Sequence, residues 1–355
     1  MTTMSEATTD APAAGEDAMS RSTLYKGRAA RWMVRHPAVF PFVLLVLIGL
    51  VVGTINPFFW QLANLFDILR AAVVPGLLAL GVLVVLAAGG LDVSFTAIAA
   101  LVMYPVAVFV SGSAPDLGIA PILLMGAVAG GLLGTVNGIL VNVLKAPALI
   151  ITIGTQYAFR GLLLTFVGTA LFTNIPASMT RFGQLALFRG TTQSGLNVAL
   201  PAFVLVFLAA AVVTWLVLNR TLIGRAIYAV GGSSDIAARL GYNVSRVHLF
   251  VFAWAGMLAG VAGIMHVTAN RLANPFDLAG TELSVIAAVI LGGARITGGT
   301  GTVLGTVMGT LVITLINNVL ILVGVPSNWQ TAILGAFILL AGLFYARLDR
   351  LAAGR

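Results

Sequence analysis

Residues 133–144 read LGTVNGILVNVL, and residues 304–315 read LGTVMGTLVITL. Eight of the twelve positions are identical at a fixed offset of 171 residues. Both stretches lie inside long apolar runs, and both carry glycines four residues apart. Gly126, Gly130, Gly134 and Gly138 fall on one face of a helix, and Gly301, Gly305 and Gly309 repeat the spacing. Gly256 and Gly260 repeat it again. Small residues at this spacing let helix backbones approach closely, which matters most in a bilayer, where helices gain nothing from hiding apolar surface. These glycines are read as helix-packing positions in a tight membrane bundle.

Composition agrees. The 355 residues are 59% hydrophobic and 8% charged. An ordinary soluble domain is about 25% charged, so a soluble enzyme and a nucleic-acid-binding domain are both excluded. The apolar runs are continuous rather than alternating, which excludes a β-barrel. One crossing takes about 20 apolar residues. Ten spans fit, at about 38–55, 67–88, 93–111, 119–143, 147–169, 198–219, 247–268, 281–294, 300–323 and 328–346, the eighth short and read as re-entrant or broken. The predicted fold is an all-α polytopic membrane protein.

The net charge is +8. Of the 19 basic residues, all but Arg70, Arg160, Arg181, Arg189 and Arg271 fall in segments on one predicted side. By the positive-inside rule that side is the cytoplasm, with both termini in it. Residues 1–36 read as a disordered cytoplasmic tail, 37–346 as the membrane domain and 347–355 as a C-terminal tail. The two echoed stretches sit five spans apart. An odd separation reverses orientation, so the chain reads as two inverted five-helix repeats, as transporters often are. Asp92-Val93-Ser94 before the third span and Glu282-Leu283-Ser284 before the eighth echo one another, at opposite membrane faces in this reading.

Ionisable groups at membrane depth are functional candidates. Arg160 lies mid-span and either lines a pathway or pairs with a carbonyl or an acid. Asp92 is read as an N-cap, and Asp67 and Arg70 as an i, i+3 pair. The uncharged polar set within spans is Asn137, Asn142, Gln156, Asn317, Asn318 and Gln330. Amides suit an uncharged polyhydroxy solute and equally suit contacts between helices.

The longest cytoplasmic connection, 220–246, reads RTLIGRAIYAVGGSSDIAARLGYNVSR. It predicts an amphipathic helix over 222–230, broken by Gly231-Gly232. A second short helix follows, capped by Ser233 or Ser234, with Asp235 in its first turn and Gly241 ending it. There is no cysteine, and His36, His248 and His266 lack metal-site spacing, so no metal is expected. No GxxxxGK[ST] loop occurs, and Gly-rich 292–301 lacks its lysine. A pump built on this chain takes its ATPase from another subunit, and the chain itself is read as non-enzymatic.

Several stretches resemble the membrane permease of bacterial ribose-type ATP-binding cassette (ABC) sugar importers. They are AGGLDVS at 88–94, TIGT at 152–155 followed by FRG at 159–161, GRAIYAVGG at 224–232 continuing to AARLG at 237–241, and AAVILGG at 287–293 with Gly298, Gly299 and Gly301. The similarity runs from about residue 37 to 346. Phe95 and Thr96 depart from the small residues usual there. The resemblance implies type II importer architecture in a bacterial inner membrane. It implies two permease subunits, two cytosolic ATPases that bind the ATP and magnesium, and an extracytoplasmic sugar-binding protein. It makes 220–246 the coupling loop, with Gly224, Arg225, Gly231, Gly232, Asp235, Ala238 and Gly241 facing the ATPase, the glycines setting the backbone. Candidate pathway residues are Asn137, Gln156, Arg160, Glu282, Asn317 and Asn318. Competing readings are an ABC permease for a nucleoside or branched-chain amino acid, and an ion-coupled carrier using Asp92 and Glu282.

Overall fold

A computed structural model describes Trp32 and residues 36–352, except 192–194 and 196; most of the expected N-terminal tail and the last three residues lie outside the described residues. Its organising element is a helix apolar on every side. Helix α3 (Val73–Ala87) is buried along nearly its whole length, as an all-apolar helix must be when protein surrounds it. Before it in the chain stand α1 (Val39–Ile55), a 3-10 turn at Pro57–Trp60 and α2 (Leu62–Ala71). After it come α4 (Phe95–Ser113), α5 (Ile119–Leu144) and α6 (Ala148–Phe166). A short helix α7 (Ala177–Gln184) leads to strands β1 (Ala186–Thr191) and β2 (Asn197–Pro201). The chain continues through α8 (Val204–Arg220), α9 (Leu222–Gly232), α10 (Ser234–Arg239), α11 (Val244–Asn270), α12 (Glu282–Leu291), α13 (Val303–Leu322) and α14 (Ser327–Ala352).

Helix α11 lies along α5 and also packs on α3 and α4. The α5 glycines explain the close approach. A Cβ on Gly130 would overlap the Gly256 carbonyl oxygen, and one on Gly134 would overlap that of Phe252. A Cβ on Gly126 would press on the Ile264 side chain and the Gly260 backbone, and one on Gly138 on the Leu249 Cα. The opposite face of α5, with Leu124, Leu132 and Val143, is exposed, as a lipid-facing surface would be.

The expected spans and details meet the structure as follows. Among the described residues, five helices are long and apolar enough to cross a membrane, or seven if two bent pairs each count as one. Those pairs are α2–α3, bent by 42°, and α8–α9, bent by 74°. Helices α1 and α12 are apolar but shorter. The all-α expectation omits an antiparallel hairpin, β1 on β2. Gly301 is not on a helix: α13 starts at Val303, Thr302 Oγ1 accepts from Gly305 N at 3.1 Å, and Gly301 lies before that cap with φ +146°. Only Gly305 and Gly309 pack α13, against the Gly292 and Ala288 carbonyls of the α12 hairpin. Gly231-Gly232 does not break α9, which runs to Gly232. Helix α14 continues through the expected tail to Ala352.

Candidate functional site

The first turn of α12 carries Glu282, 9% exposed. A carboxylate is favoured at a helix N-terminus, where unpaired N–H groups and the macrodipole are positive. Three side chains converge on its Oε1. Thr96 Oγ1 of α4 donates at 2.5 Å, Gln156 Nε2 of α6 at 2.8 Å and Arg160 Nη2 of α6 at 3.4 Å. Arg160 Nη2 is also 3.4 Å from Thr96 Oγ1. Gln156 and Arg160 are one helical turn apart, so one face of α6 supplies both. Arg160 thus pairs with an acid, the second of its two expected roles. Its side chain is 21% exposed and that of Glu282 11%, so this charge pair is largely removed from solvent and held by neutral donors.

Three sequence expectations change here. Glu282 does not sit at the opposite membrane face from the 92–94 stretch. It bonds to Thr96, two residues past Ser94. The ten residues of α12 rise about 15 Å, about half a hydrocarbon core of ~30 Å. With Glu282 9% exposed and bonded to α4 and α6, the acid that opens this short helix is enclosed by the bundle. Asp92 is not the cap of α4; Ser94 holds that position, and Asp92 Oδ1 accepts from Ser94 N and Ser94 Oγ, both at 2.7 Å. Arg70 does not pair with Asp67 but donates to the Ala269 carbonyl at 3.1 Å.

The expected pathway residues separate into three places. Gln156, Arg160 and Glu282 meet. Asn137, fully buried on α5, donates to Ser94 Oγ at 2.7 Å. There it holds the 88–94 break between α3 and α4, helped by Thr152, whose hydroxyl donates to the Leu91 carbonyl at 3.1 Å. Asn317 lines a cavity between α3, α12 and α13, while its neighbour Asn318 keeps a buried Oδ1 without a partner among the described residues. Thr96 is the member of the Glu282 cluster that sequence reading missed; its only signal there is the departure from the resemblance. No cluster of metal-ligating residues occurs among the described residues.

The connection 220–246 is a defined surface element. Thr221 Oγ1 accepts from Gly224 N at 3.1 Å and donates to the Val217 carbonyl at 2.6 Å, fixing the α8–α9 corner. Only glycine fits at 224, because a Cβ there would overlap the Leu218 carbonyl. At the far end of α9, Gly231 abuts the Ala87 carbonyl that ends α3. That same carbonyl accepts from Gly299 N at 3.1 Å, and Tyr228 donates to the Gly301 carbonyl at 2.8 Å. Ser233 Oγ caps α10, with Ile236 N at 3.4 Å. Gly241, at φ +89°, closes it, with Tyr242 N bonded to the Ala237 carbonyl at 3.0 Å. Of the expected contact residues, Gly224 and Gly231 are buried. Arg225, Gly232, Asp235, Ala238 and Gly241 are exposed. Leu222, Ile236 and Leu240, exposed by 60% or more, join them. The i, i+4 placement of Ile236 and Leu240, with buried Ala237 turned inward, was the available signal for that apolar surface.

The sequence profile of the branched-chain amino acid transport system permease component family matches residues 64–342. The ribose import permease protein of Bacillus subtilis (strain 168) is 36% identical over 311 residues, covering 87% of this chain and 92% of that protein. The ribose import permease protein of Escherichia coli (strain K12) is 34% identical over 316 residues, covering 88% and 94%. The autoinducer 2 import system permease protein of Yersinia pestis (strain Pestoides F) is 31% identical over 301 residues, covering 83% and 81%. No solved structure matches.

Proposed function

The chain belongs to this family of transport-system permease components, and from that premise we propose that it is the membrane subunit of an ABC importer for a monosaccharide, a pentose, hexose or related furanose or polyol. Ribose import by the named relatives supports that substrate class. In this reading two permease subunits form the pathway in a bacterial inner membrane. Each has ten crossings, two inverted halves and both termini in the cytoplasm. A binding protein delivers the sugar outside, and ATP with magnesium is bound and hydrolysed by separate cytosolic subunits.

The observation that carries the reading is the linkage between the exposed loop and the interior. The α9–α10 surface would receive the ATPase. Its inner end is wedged, backbone on backbone, between the end of α3 and the 298–299 turn that follows α12. A tilt of α9 therefore moves both the 88–94 break and α12, whose first residue is Glu282. ATP-driven closure would bias a two-state rearrangement of these elements, remaking the contacts of Glu282 with Thr96, Gln156 and Arg160. The Arg160 charge partner keeps this region free of net fixed charge, which suits a neutral solute.

The test is uptake by proteoliposomes holding the permease, its ATPase and its binding protein, with ATP on the cytosolic side. The paired variant Asp235→Lys, Ala238→Trp changes two exposed positions. It should insert normally, lose the ATPase on co-purification and lose ATP-dependent uptake. Gly231 is unsuitable for this purpose because a side chain there collides with α3. Transport by the chain alone, abolished by collapsing an ion gradient, would sink the ABC reading in favour of an ion-coupled carrier. A complex that carries only a nucleoside or a branched-chain amino acid would move the substrate class.

A further inference from the structure

Beside the Glu282 cluster, and separate from it, the opposite side of α12 walls a cavity of about 200 Å³ shared with α3 and α13. Thr281 and Ser284 line it from α12, and Thr310, Thr314 and Asn317 line it from α13. The spacing is i, i+3 on one helix and i, i+4, i+7 on the other, so two polar stripes face one space. Two of the hydroxyls are engaged: Thr281 donates to the Leu278 carbonyl at 2.7 Å, and Thr310 to that of Thr306 at 2.9 Å. Ser284, Thr314 and Asn317 have no side-chain hydrogen-bond partner among the described residues. Thr314 is 7% exposed, so its hydroxyl is withdrawn from the surface and open only to the cavity. Thr314 is buried and Ser284 and Asn317 are half-buried, so their polar groups can take hydrogen-bond partners within the cavity.

We infer that this cavity is a transient binding site for one neutral sugar ring on its way through the permease. The inference rests on the sugar-import reading above and adds a place to it. Size fits: a cavity of about 150 Å³ takes a benzene ring, so this one takes a single small ring with its substituents and excludes a disaccharide. Chemistry fits as well. Leu78, Val285, Ala288 and Ile313 give an apolar wall for the C–H face of a sugar. The hydroxyls and the amide offer both donors and acceptors for its O–H groups. No charged side chain lines the cavity. Glu282 sits at the α12 N-terminus but turns to Thr96, Gln156 and Arg160 and offers the cavity no charge. A zwitterionic amino acid would therefore bury two charges without partners, which is costly. Exposed Thr281 and half-buried Leu278, the latter in the left-handed backbone region at φ +66°, mark the mouth.

The chain has no cysteine, so an introduced thiol is the only one in this subunit, and labelling is read on this subunit after separation. Ser284→Cys, nearly isosteric, is placed in the full complex in proteoliposomes and labelled with a small methanethiosulfonate reagent. Ser113→Cys, exposed at the end of α4, serves as control. D-Ribose should slow labelling at position 284 at least fivefold and leave position 113 unchanged, and L-leucine should slow neither. In parallel, Thr314→Val should lower D-ribose uptake about tenfold while Thr314→Ser restores it. If the wild-type complex imports D-ribose but labelling at 284 is unaffected by it, the site is wrong and the transport reading stands. If the wild-type complex imports L-leucine and no sugar, the transport reading falls, and the sugar class assigned to the cavity falls with it.

Discussion

Helices α5 and α13 carry the same glycine-spaced motif but make different contacts with it. On α5, Gly126, Gly130, Gly134 and Gly138 run as a seam along α11, a continuous helix of 27 residues. On α13, Gly305 and Gly309 meet α12, which has ten residues and ends at the Gly292–Gly293 turn. The acid before each motif diverges too. Asp92 bonds within its own turn, whereas Glu282 ties α12 to α4 and α6. A small-residue stripe therefore specifies how near a neighbour comes and not which neighbour it is. The long seam would be the static half of the bundle, and the short contact the half that can shift.

The largest effect should come from breaking the seam. Gly130→Leu drives a side chain into the Gly256 carbonyl and to within 2.9 Å of Gly260 N and Cα, where only backbone could give way. We expect a loss of at least about 3 kcal/mol, seen as failure to recover monodisperse protein from detergent. Gly154→Leu, with nothing within 4 Å of its Cβ, should be recovered normally. Equal recovery of both variants would show that the seam is not what holds α5 to α11. On the short contact, Gly309→Ala overlaps the Ala288 carbonyl and lies 3.0 Å from Gly292 N. Alanine adds one methyl group, and displacement of a helix of only ten residues relieves the overlap. The variant should fold, at a cost of about 1–2 kcal/mol, and lose about tenfold in uptake. A Gly309→Ala protein that transports normally would remove α12 from the moving half.

What was legible in the sequence follows from what has a local signature. The apolar runs gave helices because period and length are local, and the glycine spacing gave the packing face of α5. The partner was not legible, since nothing in 126–138 points to residues near 256. Gly301 was misplaced because its i+4 spacing continues past the start of α13; the Thr302 cap was the better signal. Gly231-Gly232 was misread as a break because glycine is intrinsically poor in helices. Here the close approach to Ala87 requires a residue without a Cβ, and tertiary packing overrides propensity. The hairpin at 186–201 has strands of six and five residues, one containing glycine, too short for an alternation to register. Of the site, Gln156, Arg160 and Glu282 could be named as intramembrane polar residues. Their meeting, 122 and 126 residues apart in sequence, could not.

The smallest effects separate the two acids. Glu282→Gln keeps an acceptor for Thr96 and Gln156 but removes the charge facing Arg160, leaving a largely buried cation uncompensated. Arg160→Gln leaves the carboxylate in the same position. The double variant should recover part of each loss, with a coupling of about 1 kcal/mol in a double-mutant cycle on thermal stability. Additive losses would mean that the 3.4 Å pair contributes nothing. Asp92→Asn should do less than either single change. Its Oδ1 acceptor remains for Ser94, and the new amide takes the place of an Oδ2 that has no partner among the described residues. Uptake should stay within about twofold of wild type. If Asp92→Asn instead abolished uptake while the protein stayed folded, the proton or charge on that carboxylate would be part of the transport cycle. The 88–94 break, which moves with α9 in this reading, would then carry part of the energy coupling in its own carboxylate.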